Sequence, residues 1–139
     1  MTTPTNQKSE RMLPRCEVSV GDTWDLSQLY PSDESWATAL EGMRPLVESL
    51  AQYGGRLGES AETLLSCLQL DSQIDRLGDR LGNYAYLKTA EDQTNSTYQA
   101  MMGRYKFEAT RAAEAASFIR PELLSLPDDT IQAYLNAPP

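Results

Sequence analysis

Between Ser60 and Tyr84 a run of apolar residues includes Leu64, Leu65, Leu68, Ile74, Leu77, Leu81 and Tyr84. Spacings of three, four and seven put most of them on one side of a 3.6-residue helix. A half-buried strand would need alternation, and no alternating run of convincing length occurs in the chain. The same helical period recurs twice. Trp36, Leu40, Met43, Val47 and Leu50, widened by Leu46 and Tyr53, make one stripe. Tyr98, Met101 or Met102, Tyr105, Ala109, Ala112, Ala116 and Ile119 make another. The pattern predicts three long amphipathic helices.

Local signals set their ends. Ser32 is a good N-cap, with Asp33 and Glu34 in the positive first turn. Pro45 falls inside this first helix, where it removes a hydrogen bond and is expected to kink it. "GGRLG", residues 54–58, reads as a helix end and a turn. Ser60 caps the second helix, with a break allowed near residues 70–72. Asn95 or Ser96 caps the third, and Pro121 is expected to stop it. Pro127 fits the first turn of a short helix reaching Leu135. Short connections favour antiparallel neighbours. The expected fold is therefore all-α: three long antiparallel-type helices plus one short C-terminal helix, over residues 21–139. Residues 1–20 are polar, carry Pro4 and Pro14, and are expected to form a flexible tail, with Val18 and Val20 in brief extended contacts.

The formal net charge is −8. Nucleic acid and anionic membrane surfaces both favour clustered Lys and Arg, so neither is an expected partner. No stretch approaches the ~18 apolar residues of a membrane span. The N-terminal segment lacks the apolar core of a signal peptide, and the chain reads as cytoplasmic. Asp71, Asp75 and Asp79 share a helix face and read as a solvated row; Arg104, Glu108 and Arg111 read as exposed pairs.

Chemistry is scarce. The chain has no histidine, which removes imidazole acid–base schemes, Ser-His-Asp and Cys-His sites, and imidazole-dependent zinc sites. No phosphate-binding glycine loop and no calcium loop is present. Cys67 lies on the apolar side of its helix and reads as a buried thiol. Asp25, Glu91 and Asp92 read as turn and helix-end residues. No catalytic, cofactor-binding or metal-binding residue is assigned. Weaker functional readings remain for Arg120 and Glu122, as a grip on a peptide terminus, and for Tyr84, Tyr86 and Tyr98, as a channel lining.

"TWDLSQLYPSDESW", "YGGRLGESAETLLSCL", "LGNYAYLKTAEDQTNSTYQ" and "ASFIRPELLSLPDDTIQAYL" occur in that order. Together they resemble the N-terminal region of oligoendopeptidase F, a zinc metallopeptidase family related to thimet oligopeptidase. The resemblance covers nearly the whole chain from about Asp22 to Leu135. It implies an all-helical part of a longer enzyme whose HExxH zinc site lies downstream. No position here matches that motif, so no catalytic or metal residue carries over, and zinc is expected only in the downstream catalytic domain. The implied partners are that catalytic domain and the short peptides it cleaves. The implied role is to wall the substrate cavity. On this reading Trp36 anchors the first helix, and Trp24, with Leu26 and Leu29, folds back and buries against the helices. A rival reading is an independent helical interaction module, with self-association through uncovered apolar stripes.

Overall fold

The computed structural model describes Leu13 and residues 15–136. Most of the expected tail, residues 1–12 and 14, lies outside the described residues. The described part of that segment forms short 3-10 turns at Arg15–Glu17 and Val20–Asp22, and a third follows at Leu26–Gln28. Three long helices come next: α1 (Asp33–Ala51), α2 (Ala61–Glu91) and α3 (Ser96–Ala116). Two short ones, α4 (Ile119–Ser125) and α5 (Asp128–Leu135), close the described chain. The described residues contain no strand.

The helix starts follow the side-chain chemistry. Ser32 and Ser35 form a reciprocal capping box, each hydroxyl accepting the other's backbone N–H at 3.2 and 3.0 Å. Ser60 Oγ accepts from Thr63 N at 3.1 Å, and Asn95 Oδ1 accepts from Thr97 N at 2.9 Å. Helix α1 runs without a break through Pro45. Pro45 is exposed, so the Glu41 carbonyl that loses its helical donor stands beside solvent. Helix α2 has no break at residues 70–72 and rises roughly 46 Å.

The C-terminal end differs from the sequence expectation. Helix α3 stops at Ala116, five residues before Pro121. Pro121 is the third residue of α4, where a missing N–H costs nothing because first-turn donors have no helical acceptor. The single short helix foreseen is thus preceded by another.

Helices α1 and α2 are antiparallel: Trp36 near the start of α1 meets Leu81 late in α2, and Met43 meets Gly78. Helices α2 and α3 are antiparallel as well, with Thr89 bonded to the Tyr98 carbonyl. Helix α1 therefore runs parallel to α3. The three stripes close on one core of Trp36, Leu40, Met43, Val47, Leu50, Cys67, Ile74, Leu81, Tyr84, Met101 and Ala112. Trp36 is its largest fully buried side chain, and its indole N–H donates to the Leu81 carbonyl at 2.9 Å. A large ring with a satisfied donor is a favourable core residue.

Candidate functional site

The side chains with chemical potential are spread over four places, and at three of them the chemistry serves the fold. At the start of α1, the Tyr84 hydroxyl donates to Asp33 Oδ1 at 2.7 Å, and Lys88 Nζ lies 3.6 Å from the same oxygen. The Lys88 ammonium sits 4.8 Å above the Tyr98 ring. Burial, then the bond to Asp33, push the Tyr84 phenol well above its ordinary range. Burial opposes the charge on Lys88, but the Tyr98 hydroxyl and the Asp33 carboxylate outweigh it and raise its pKa. The three tyrosines do not line a common channel: Tyr84 is buried, Tyr98 half-buried and Tyr86 exposed. Residues 84 and 86 are two apart on one helix and point to different sides.

Glu108 departs from the expected exposed pairing. It is 4 % exposed and accepts from Arg44 Nε at 2.8 Å across the α1–α3 interface. Arg111 Nη1 approaches its other oxygen at 3.4 Å. Arg104 instead lies over the Trp36 ring, 5.5 Å from its centroid. The signal was present: residue 108 falls between Tyr105 and Ala112 on the buried stripe of α3.

Glu122 is taken up by the loop between α1 and α2. Its two carboxylate oxygens accept from Gly55 N at 2.8 Å and Leu57 N at 2.7 Å. Tyr134 of α5 donates to the Gly58 carbonyl at 2.8 Å. Gly55 sits at φ +78, a left-handed geometry open to glycine, which aims these donors at the carboxylate. Leu57 in the same loop is fully buried, a core residue that no helical period could announce. The grip on a peptide terminus considered for Glu122 is therefore replaced by a grip on the chain's own backbone; Arg120 is exposed.

The fourth place is the surface. Trp24 is 82 % exposed, which overturns the expectation that it buries against the helices. Leu26 and Leu29 do pack on the core and Tyr30 is buried, so the segment folds back as foreseen but leaves its tryptophan outside. The reason is the turn. Asp25 caps it, its carboxylate accepting from Ser27 N at 3.0 Å, Ser27 Oγ at 2.6 Å and Gln28 Nε2 at 3.3 Å. Leu26 and Leu29, three apart across that turn, reach the core, and Trp24 lies before it. Trp24 forms one wall of a groove of about 280 Å³ against Leu87 and Ala90 of α2.

The acidic row behaves differently from a purely solvated face. Asp71, Asp75 and Asp79 border a shallow groove floored by Ala109, Ala112 and Ala116. Burial, then the charge of Asp75, raise the Asp71 carboxyl above its usual range. Cys67 is fully buried as expected, and burial pushes its thiol up. Asp25, Glu91 and Asp92 act in turns and clasps: Glu91 pairs with Arg15 at 3.2 Å, and Asp92 accepts from Thr94 N at 3.0 Å.

Zinc, which the family resemblance implies for a whole enzyme, does not fit the residues present. The chain has no histidine, and among the described residues no three His, Cys, Asp or Glu side chains converge on a metal-sized site. No helix among the described residues is long and apolar enough to cross a membrane.

Among the described residues no metal-ligating side chains converge, and one buried side-chain oxygen, the Tyr30 hydroxyl, has no hydrogen-bond partner. No protein-family model matches the chain. Oligopeptidase PepF of Bacillus subtilis is 34% identical over 136 residues, covering 97% of this chain and 20% of that protein. The group B oligopeptidase PepB of Streptococcus agalactiae is 27% identical over 112 residues, or 81% of this chain and 19% of that protein. Among crystal structures, a Chlamydophila abortus protein assigned as a peptidase superposes with a TM-score of 0.80 at 33% identity, over 90% of this chain and 21% of that one. Oligoendopeptidase-F of Enterococcus faecium gives 0.69 at 27% identity, over 75% of this chain and 21% of that one. The chain corresponds to part of an oligoendopeptidase F-type peptidase, and it spans about a fifth of the length of the relatives it matches.

Proposed function

We propose that this chain is the non-catalytic N-terminal helical part of an oligoendopeptidase F-like peptidase. It packs on the catalytic domain of the same polypeptide and helps wall the cavity that admits short peptides. One observation carries the reading: 97% of the chain aligns with a fifth of an oligopeptidase, yet its 139 residues include no histidine. The peptide-cleaving chemistry, and the zinc that would supply it, then belong to the four fifths of the enzyme outside this segment. The bundle supports that division of labour, because Glu108, Tyr84 and Trp36 are spent on internal bonds and, of the buried side-chain polar atoms among the described residues, the Tyr30 hydroxyl alone lacks a partner. A cytoplasmic location goes with the same proposal.

Two assays on one peptide test it. The full-length polypeptide carrying this segment should hydrolyse a quenched fluorescent oligopeptide, and deleting the segment should abolish that turnover or extend it to longer, folded substrates. The isolated 139-residue chain should give no turnover. Hydrolysis by a clean preparation of the isolated chain, or unchanged kinetics and size selection after the deletion, would overturn the proposal. The rival reading, a free-standing interaction module, predicts that the deletion leaves peptidase kinetics unchanged.

A further inference from the structure

We infer that the arm Arg15–Gln28, with Trp24 as its anchor, is the surface on which the remaining four fifths of an oligoendopeptidase F-type polypeptide docks. The inference rests on the functional reading above and adds the contact residues. None of the residues in the arm's three 3-10 turns is buried, yet the arm is tightly fastened by its own side chains. Thr23 Oγ1 donates to the Val20 carbonyl at 2.7 Å, and Ser19 Oγ accepts from Gly21 N at 3.3 Å. Asp25 ties down Ser27 and Gln28. Arg15 clasps Glu91 at one end, and Arg80 donates to the Leu29 carbonyl at the other, at 2.8 Å. The result is a preformed ridge presenting Trp24 at 82 % and Val20 at 86 % exposure, beside the apolar groove over Leu87 and Ala90. A large aromatic held outward on a locally rigid turn loses little entropy on contact, and tryptophan is enriched among residues that anchor interfaces.

The occupant follows from length and charge. In both superposed crystal structures this fold is 21% of one polypeptide. A partner tethered on the same chain acts at high effective concentration, so a patch of this modest size suffices. A second copy of this chain is a poorer match. Each copy carries −8, and the arm holds Glu17, Asp22 and Asp25 against Arg15, so a two-fold pairing would bring like charges together. The partner surface is apolar with basic side chains at its edge.

Hydroxyl-radical footprinting with mass spectrometry tests this. It would be applied to the isolated 139-residue chain and to the full-length polypeptide carrying it. Oxidation of Trp24 should be fast in the isolated chain and slowed roughly tenfold or more in the full-length protein. Trp36 should be protected in both. Phe107, exposed over a different groove between α1 and α3, should be modified alike in both. In the full-length protein Trp24→Ala should lower the melting temperature, and in the isolated chain it should not. Equal Trp24 oxidation in both proteins overturns the docking inference; if deleting the segment still abolishes turnover, the functional reading survives that result. Concentration-dependent protection of Trp24 in the isolated chain would assign the patch to a second copy and overturn the inference.

Discussion

The bundle and the arm before it each carry one of the chain's two tryptophans, with opposite outcomes. Trp36 is 1 % exposed, hydrogen-bonded to α2 and covered by Arg104; Trp24, twelve residues earlier, is 82 % exposed. The two regions are held by different physics. The bundle is held by apolar burial between long helices, which is cooperative over many residues. The arm is held mainly by short-range hydrogen bonds within its turns and by polar clasps to α2 at its ends, with Leu26 as its apolar contact to the core. A residue's bulk therefore says that it wants cover, and only its place in a tertiary contact says whether the same chain supplies it.

The sharpest way to break this contrast is Trp36→Ala. Loss of a fully buried aromatic should cost about 3–5 kcal/mol and move the urea midpoint far down, or leave the chain unfolded. A midpoint within experimental scatter of the parent would show that the bundle does not depend on that ring.

Glu122→Ala comes next. It removes the carboxylate that accepts from Gly55 N and Leu57 N, and so loosens the loop that places Leu57 in the core. The expected loss is about 2 kcal/mol, read from chemical denaturation, because charge-assisted bonds to backbone donors exceed neutral ones. Glu122→Gln should recover about half, since its amide retains one acceptor oxygen.

Raising the pH should unfold the bundle by a smaller, graded effect. Burial raises the pKa of Tyr84, Tyr30 and Cys67 in the folded chain. The unfolded chain releases those protons first, from about pH 8.5 for the thiol and about pH 10 for the phenols. Above those values it binds fewer protons than the folded chain, so stability falls as pH rises. Lys88 adds to the same slope, because its folded pKa is raised as well. Urea midpoints from pH 8 to 11 should decline steadily, with the absorbance at 295 nm from Tyr30 and Tyr84 appearing only as the chain unfolds. A flat profile would show these groups to be solvated.

Trp24→Ala should have the smallest effect, below about 0.5 kcal/mol in the isolated chain, as for other exposed positions. A loss comparable to that of Trp36→Ala would erase the distinction between the two regions.

Much of the bundle is legible in the sequence because its determinants are local. Ser32, Ser60 and Asn95 sit where capping hydroxyls and amides belong, and the stripes through Trp36 and Leu81 follow a period that one helix alone defines. What escapes is set by partners far along the chain. Glu108 is buried because Arg44, 64 residues away, reaches it. Leu57 is buried because Glu122, 65 residues away, pins its backbone. The early end of α3 reflects the same limit: Pro121 is compatible with a helix interior end or a helix first turn, and packing of Phe118 and Ile119 selects the second. Trp24 escaped for the converse reason, since nothing among the described residues covers it. The absence of histidine, in contrast, needs no structure to be read.

Acrylamide quenching of two single-tryptophan variants, Trp24→Phe and Trp36→Phe, tests the central contrast most directly. Acrylamide is neutral, so the −8 charge of the chain does not bias its access. The account predicts that Trp24, observed in the Trp36→Phe variant, is quenched almost as readily as free indole and emits like a solvated ring. Trp36, observed in the Trp24→Phe variant, should be shielded and blue-shifted until the chain unfolds. Two tryptophans shielded alike in the isolated monomeric chain would contradict it.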